Sequence, residues 1–260
     1  MNIILIIDIC LLVIVTIILI CGGVTRWKLI PKKTEYFNNE NRLFTYGKKH
    51  GSDKITRHKY HEIYHQYLKQ FYDKKGGLIE IGIQGGHSLK MWMDAFPNMY
   101  IYGIDIGKED KNDKYTIFKI DQSSENQLKS ILHNIKHPIY FINDDGSHIP
   151  EHQLLTFNIL FPLLEEGGIY IIEDIESSYW TRDGLYGYDT RYGYKHPKSI
   201  IEIFKNVIDL INSEFCRKYT DDKVQHLKYI KSITFAQNCI IILKGENKDW
   251  EREYRFGDKL

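Results

Sequence analysis

LIEIGIQGGHS, residues Leu78–Ser88, decides the fold. It begins as an apolar run short enough for a buried strand, turns on Gly82, Gly85 and Gly86, and hands over to a helical stretch that starts at Ser88. A strand that ends in a glycine turn and runs into a helix is the opening unit of a parallel α/β sheet. Glycines let the backbone approach a ligand closely. A dinucleotide fingerprint would need further glycines where Gln84 and His87 stand, so a nicotinamide or flavin cofactor fits poorly. Glu80, just before the turn, suits a ligand without pyrophosphate but with a cationic sulfonium and ammonium end.

Downstream the same rhythm continues. Strands are predicted over Tyr100–Ile106, Tyr115–Ile120, Pro138–Asn143 and Gly168–Ile172, with helices over Ser88–Ala95, Ser124–Ile135 and Glu151–Leu164 between them. A long helix follows over Lys198–Ile211. Two strands joined by Gln237-Asn238 then read as a closing hairpin. The expected architecture is a doubly wound, Rossmann-like α/β sheet of seven strands ending in an antiparallel hairpin. Upstream, Arg57–Tyr72 reads as a helix stopped by Gly76-Gly77. Residues 24–50 read as a polar linker, and the residues from Asn247 as a charged, solvated tail. The folded domain is therefore expected over residues 51–246.

Acidic and amide side chains gather at the carboxyl ends of these strands, where ligands bind in open α/β sheets. Asp105 ends the second strand and can accept hydrogen bonds from two vicinal ribose hydroxyls. Asp121 and Gln122 end the next strand, placed to read an adenine edge. NDDGSH, Asn143–His148, ends the fourth, and Glu173-Asp174 ends the fifth. Neighbouring parallel strands lie about 4.8 Å apart, so such carboxylates can meet on one ion. Oxygen donors suit Mg²⁺, Mn²⁺ or Ca²⁺ rather than zinc. An ion there could hold substrate hydroxyls and acidify one of them. His148, beyond a glycine turn, has the ordinary pKa of a general base. Taken singly, Asp145-Gly146 is also a common turn pair, and Glu173-Asp174 could cap a helix.

The N-terminus is of a different kind. Ile3–Cys21 is almost continuously apolar, with Asp8 its one charge, and about 19 residues approach the thickness of a bilayer core. Residues 1–23 are expected to form a transmembrane anchor, with a cleaved signal peptide as the alternative. Arg26, Lys28, Lys32 and Lys33 follow, so the positive-inside rule leads one to expect the C-terminal side in the cytoplasm, with a lumenal domain as the alternative. The net charge of +1, from 35 basic and 34 acidic residues, offers no basic field for nucleic acid. The four cysteines, Cys10, Cys21, Cys216 and Cys239, show neither metal-ligand spacing nor a disulfide framework.

Several motifs together resemble the class I methyltransferases of the macrocin and mycinamicin sugar O-methyltransferase type. They are GSDK (Gly51–Lys54) with His58 and Tyr60, EIGIQGGHSLKMW (Glu80–Trp92), FPNMYIYGIDI (Phe96–Ile106), DQ (Asp121-Gln122), DDGSH (Asp144–His148), LFPLLEEGGIYIIED (Leu160–Asp174) and SYW (Ser178–Trp180). The resemblance implies S-adenosylmethionine held by Glu80, Gly82, Asp105 and Gln122. Gly86, Ser88 and Asp121 are grouped with them from the same motifs. It implies Asp145, Glu173 and Asp174 as ligands of a divalent metal, Mg²⁺ first among the candidates, and His148 as general base. The acceptor would be a hydroxyl on a sugar, glycoconjugate or other small molecule. The Tyr- and Gly-rich segment Thr181–His196 is the candidate lid or acceptor wall. A membrane-bound scaffold that has lost catalysis is the non-enzymatic alternative, an iron hydroxylase the enzymatic one, and a homo-oligomer stays open.

Overall fold

The computed structural model describes residues 41–180, 190–212 and 227–246. The apolar run Ile3–Cys21, the segment 181–189 and the charged tail lie outside them. Among the described residues no helix is long and apolar enough to cross a membrane.

A compact unit begins at Arg42. Its elements are α1 (Arg42–His50), α2 (Asp53–Thr56), α3 (His61–Leu68), β1 (Gly76–Ile81), α4 (His87–Ala95), β2 (Met99–Asp105), β3 (Asp110–Lys111), β4 (Tyr115–Lys119), α5 (Glu125–Ser130), β5 (Ile139–Asp144), α6 (Pro150–Leu160), β6 (Leu164–Glu173), α7 (Ile200–Ile211), β7 (Ile230–Ala236) and β8 (Cys239–Lys244). The sheet order is β3-β4-β2-β1-β5-β6-β8-β7. The interior pairs β4·β2, β2·β1, β1·β5 and β5·β6 are parallel, while β8 runs antiparallel to both β6 and β7. This is the expected doubly wound sheet with its closing hairpin. The sheet has eight strands rather than seven. The additional one, β3, is a two-residue edge strand antiparallel to β4, too short and too charged to carry an apolar signature.

Residues 24–50 were expected to be linker throughout, but Arg42–His50 is the helix α1. Its local signal is poor because Gly47 interrupts it. Tertiary packing supplies what propensity lacks. Leu43 is fully buried, and a methyl on Gly47 would sit 2.8 Å from Met91 Sδ of α4. Arg42 ties the helix start to the Tyr72 carbonyl and to Asp73. The expected helix over Arg57–Tyr72 is shorter, with α3 at its centre. The helix expected over Ser124–Ile135 stops at Ser130, with Ser124 as the N-cap accepting from the Gln127 amide.

Both faces of the sheet are covered, so its central strands are apolar on both sides. Ile79, Ile81, Ile142, Tyr170 and Ile172 face the side that packs Phe157, Phe161 and Phe204 of α6, its following turn and α7. Leu78, Phe141, Ile169 and Ile171 face the opposite side, with Tyr64, Trp92 and Phe96. Each such side chain contributes roughly 1.5–3 kcal/mol by leaving water. This alternation of faces also sorts the polar residues near the strand tips.

Candidate active site

Register brings the site together. Ile81 of β1 pairs with Asp144 of β5, which pairs with Ile172 of β6, so these strands end level. The Asp145 amide then donates to the Ile81 carbonyl at 3.0 Å, and the Gly82 amide to the Ile104 carbonyl at 2.8 Å. The chain crosses itself tightly at this point. Gly82 has φ 84°, and a methyl there would overlap the Asp145 carbonyl, 2.7 Å from its carbon. Only glycine fits both the conformation and the contact.

Above the tips lies a cavity of about 1300 Å³. Gly82, Ser88, Asp105, Asp121 and Gln122 line it, as do Asp145, His148 and Asp174. The Asp105 carboxylate is fixed by three backbone amides. Oδ2 accepts from Ile83 at 2.9 Å and Gln84 at 3.0 Å, and Oδ1 from Gly107 at 2.8 Å. Burial alone would raise its pKa, but these amides and Lys108 outweigh that and hold the carboxyl below its ordinary value. A permanently ionised carboxylate with lone pairs left over can accept from a diol. Asp121 accepts from the backbone and hydroxyl of Ser123 on Oδ1.

Gln122 lines the cavity, and its amide also bonds within the protein. Nε2 donates to Asp144 at 2.7 Å, and Oε1 accepts from the Ser147 amide at 2.8 Å. These two bonds brace β4 against the Asp145–His148 turn and leave the amide's second N–H and second lone pair for the expected reading of an adenine edge. Glu80 departs from expectation. It lies on the Leu78 face of β1, fully buried, receiving the Trp92 indole N–H at 2.8 Å, and it does not line the cavity. Alternation along the strand explains this, because Ile81 and the turn after it line the cavity while Glu80 turns to the opposite face. Gly86 caps α4 in the left-handed region, φ 75°, and serves the turn rather than the cavity wall.

The acidic tips divide into two layers. Asp145, His148 and Asp174 each offer a ligand atom within 4.8 Å of the others, the one such group among the described residues. His148 Nε2 lies 3.9 Å from Asp174 Oδ2. Two of these residues sit in the left-handed region, His148 at φ 57° and Asp174 at φ 51°, a backbone cost that concentrates at functional sites. Asp174 Oδ1 is held by the Tyr60 hydroxyl at 2.9 Å and the Asn238 amide at 3.0 Å. Asn238 is in the β7–β8 turn, so the closing hairpin braces the site. Burial depresses the His148 pKa against the pull of Asp174 and Glu173, which favours the neutral imidazole.

Glu173 was expected in the same group, and the structure does not bring it there. As the last residue of β6 it points to the Ile171 face, beneath the tips. There Oε1 accepts from Tyr64 at 2.7 Å and Asn143 at 2.7 Å, and Oε2 from the Lys54 ammonium at 2.8 Å. Lys54 is 1% exposed and also hydrogen-bonds Asp145 Oδ2, with Glu80 at 3.9 Å. Burial disfavours its charge, but Asp145, Glu173 and Glu80 overcome this and hold the ammonium well above its ordinary pKa. Burial in turn pushes Asp145 and Glu173 up to about 7 against Lys54. Sequence reasoning gave no role to Lys54, Tyr64 or Asn238. Lys54 stands in the GSDK motif, which was the available signal.

No protein-family model matches the sequence. Mycinamicin VI 2''-O-methyltransferase of Micromonospora griseorubida is 34% identical over 206 residues, 72% of this chain and 48% of the relative. Demethylmacrocin O-methyltransferase of Streptomyces fradiae is 30% identical over 196 residues, again 72% and 48%. A tetracenomycin rhamnosyl 2'-O-methyltransferase of Streptomyces olivaceus is 35% identical over 164 residues, 59% and 43%. The chain thus spans about half the length of the curated relatives it matches. Among solved structures, MycE methyltransferase from the mycinamycin biosynthetic pathway, in complex with Mg and SAH, superposes with a TM-score of 0.70 at 25% identity. That match covers 80% of this chain and 55% of MycE. The chain has the fold of the class I S-adenosylmethionine-dependent methyltransferases and resembles, in sequence, the sugar O-methyltransferases of the macrocin and mycinamicin type.

Proposed function

We propose that the chain is a divalent-metal-dependent O-methyltransferase that moves a methyl group from S-adenosylmethionine to a hydroxyl of a sugar or glycoconjugate. The observation that carries this reading is the convergence of Asp145, His148 and Asp174 at the edge of the cavity lined by Gly82 and Asp105. The donor set fits the metal. Two carboxylates, each held on one oxygen by protein donors, leave their other oxygens for a hard cation. MycE, a structural neighbour, was solved with Mg, SAH and mycinamycin VI, which supports the same ligand classes here.

The residues divide the work. Asp105 would receive the ribose hydroxyls of the donor, and Gly82, Ser88 and Asp121 would shape its seat. Asp145 and Asp174 would hold the divalent ion, which when bound lowers the pKa of an acceptor hydroxyl. His148, neutral and beside Asp174, would take the hydroxyl proton on Nε2. The acceptor oxygen then forms its bond to the methyl carbon as the carbon–sulfur bond breaks, leaving S-adenosylhomocysteine. Tyr60 and Asn238 keep Asp174 aimed, and Gln122 keeps the Asp145–His148 turn in place.

The apolar run Ile3–Cys21, followed by Arg26, Lys28, Lys32 and Lys33, supports a single-pass anchor with the catalytic unit on the cytoplasmic side. Carbonate extraction of membranes carrying the full chain tests the anchor.

Incubating the full chain with methyl-labelled S-adenosylmethionine and a panel of glycosides, glycolipids and non-sugar phenols tests the activity. Label on a glycoside, lost with chelator and in Asp145→Ala, supports the proposal. Label only on phenols moves the acceptor class. Donor binding without transfer to any acceptor favours a non-catalytic scaffold.

A further inference from the structure

The cavity above the strand tips is acidic with one exception. Asp53, Asp105, Asp121, Asp145, Asp174 and Glu176 line it, and against these carboxylates stands a single guanidinium, that of Arg57. Arg57 is exposed, and among the described residues its side chain makes no ion pair or hydrogen bond. Its neighbours fix its place. The Arg57 amide donates to the Asp53 carbonyl at 2.9 Å and closes α2. Before α2, His87 at the start of α4 donates from Nδ1 to the His50 carbonyl at 2.7 Å. After it, His58 Nδ1 lies 4.0 Å from Asp174 Oδ1. Arg57 therefore stands on a bridge that runs from the glycine turn to the Asp174 side of the cavity.

We propose that Arg57 is the carboxylate-binding residue of this cavity. This rests on the methyl-transfer reading given above. A carboxylate entering a rim of acids is repelled unless a cation meets it, and the planar fork of a guanidinium pairs with a carboxylate through two parallel hydrogen bonds. Two carboxylates can come within its reach. One belongs to the donor, which carries a sulfonium, an ammonium and a single carboxylate. With the ribose at Asp105 and the methyl turned to Asp145 and Asp174, the third arm of the sulfur, the aminoacyl chain, is left the glycine turn and α2. The other is the acid of a uronic-acid acceptor, whose hydroxyl would sit beside Asp174. Either way the guanidinium supplies charge complementarity that the acids and the neutral imidazole of His148 cannot.

Calorimetry on the full chain tests this through discrimination between paired ligands, a quantity that general structural damage does not change. The first pair is S-adenosylhomocysteine and its decarboxylated analogue. The second is a glucuronide and the matching glucoside, each titrated with S-adenosylhomocysteine and Mg²⁺ present. Wild type is expected to bind the carboxylate-bearing member of at least one pair about tenfold more tightly or better. Arg57→Gln, which removes the charge, should reduce that preference to within about threefold, and Arg57→Lys should restore part of it. Loss of preference in the first pair assigns Arg57 to the donor. Loss in the second pair alone assigns it to an acidic acceptor. No preference in wild type for either pair, or preferences that survive in Arg57→Gln, overturns the proposal while leaving methyl transfer standing. A wild-type chain that binds no S-adenosylhomocysteine overturns the methyl-transfer reading and this inference with it.

Discussion

Replacing Gly82 with alanine probes the joint on which the site is built. At φ 84° an L-residue is strained, by roughly 1–2 kcal/mol. The added methyl also has no room. It would overlap the Asp145 carbonyl oxygen and lie 2.7 Å from the carbonyl carbon and 3.1 Å from Gly146 Cα. These are backbone atoms, so relief requires the Asp145–His148 turn to move. Overpacking of this kind costs about 1–3 kcal/mol more. Gly167 is the control. It has φ 78° and nothing within 4 Å of an added methyl, so alanine there carries the strain alone. The expectation is that Gly82→Ala loses about 2–5 kcal/mol in urea unfolding and Gly167→Ala about 1–2. Calorimetry with S-adenosylhomocysteine should show at least tenfold weaker binding in Gly82→Ala and unchanged binding in Gly167→Ala. Equal losses of stability in the two variants, with product binding intact in both, would refute the close crossing as the basis of the site.

His148→Gln should bind S-adenosylhomocysteine within about twofold of wild type while turnover falls by a hundredfold or more, checked by calorimetry beside the labelled-methyl assay. Tyr64→Phe removes one donor from a buried carboxylate and should cost about 1–3 kcal/mol in urea unfolding. Asn238→Gly keeps the left-handed turn but drops the bond to Asp174 and the one accepted from the Glu176 amide, so Mn²⁺ affinity should fall about tenfold and stability in urea by about 1–2 kcal/mol. Asp105 gives a pH signature. Its folded pKa lies below the unfolded value of about 3.9, so its contribution is complete above that value and disappears as pH falls through the folded one. Asp105→Asn should therefore unfold at lower urea than wild type at pH 7, with the gap narrowing toward pH 3.

The sequence made the cavity rim around Gly82 and Asp105 legible because its signals are local. Gly82 follows a buried strand directly, Asp105 ends the next, and strand ends in a doubly wound sheet share one rim. Asp145, His148 and Asp174 were legible for the same reason. Glu80 and Glu173 were misplaced by one residue's worth of geometry. Both lie within or at the end of strands, where alternation turns them beneath the rim, whereas Asp174 escapes it by leaving the strand in a left-handed conformation. What stayed hidden is tertiary. Lys54, Tyr60 and Tyr64 reach Asp145, Asp174 and Glu173 from 91 to 119 residues away. Asn238 returns from the closing hairpin, and its signal in the sequence is only that of a turn residue. Helix α1 was missed because its stability comes from packing on α4 rather than from its own composition.

A crystal of the chain grown with Mn²⁺ and S-adenosylhomocysteine puts the arrangement to its most direct test. The expected anomalous peak bridges Asp145 and Asp174 beside His148, with the ribose of the product against Asp105. Product bound along Gly82 with no manganese between those two carboxylates, or manganese bound elsewhere, would contradict a metal-assisted methyl transfer at this site.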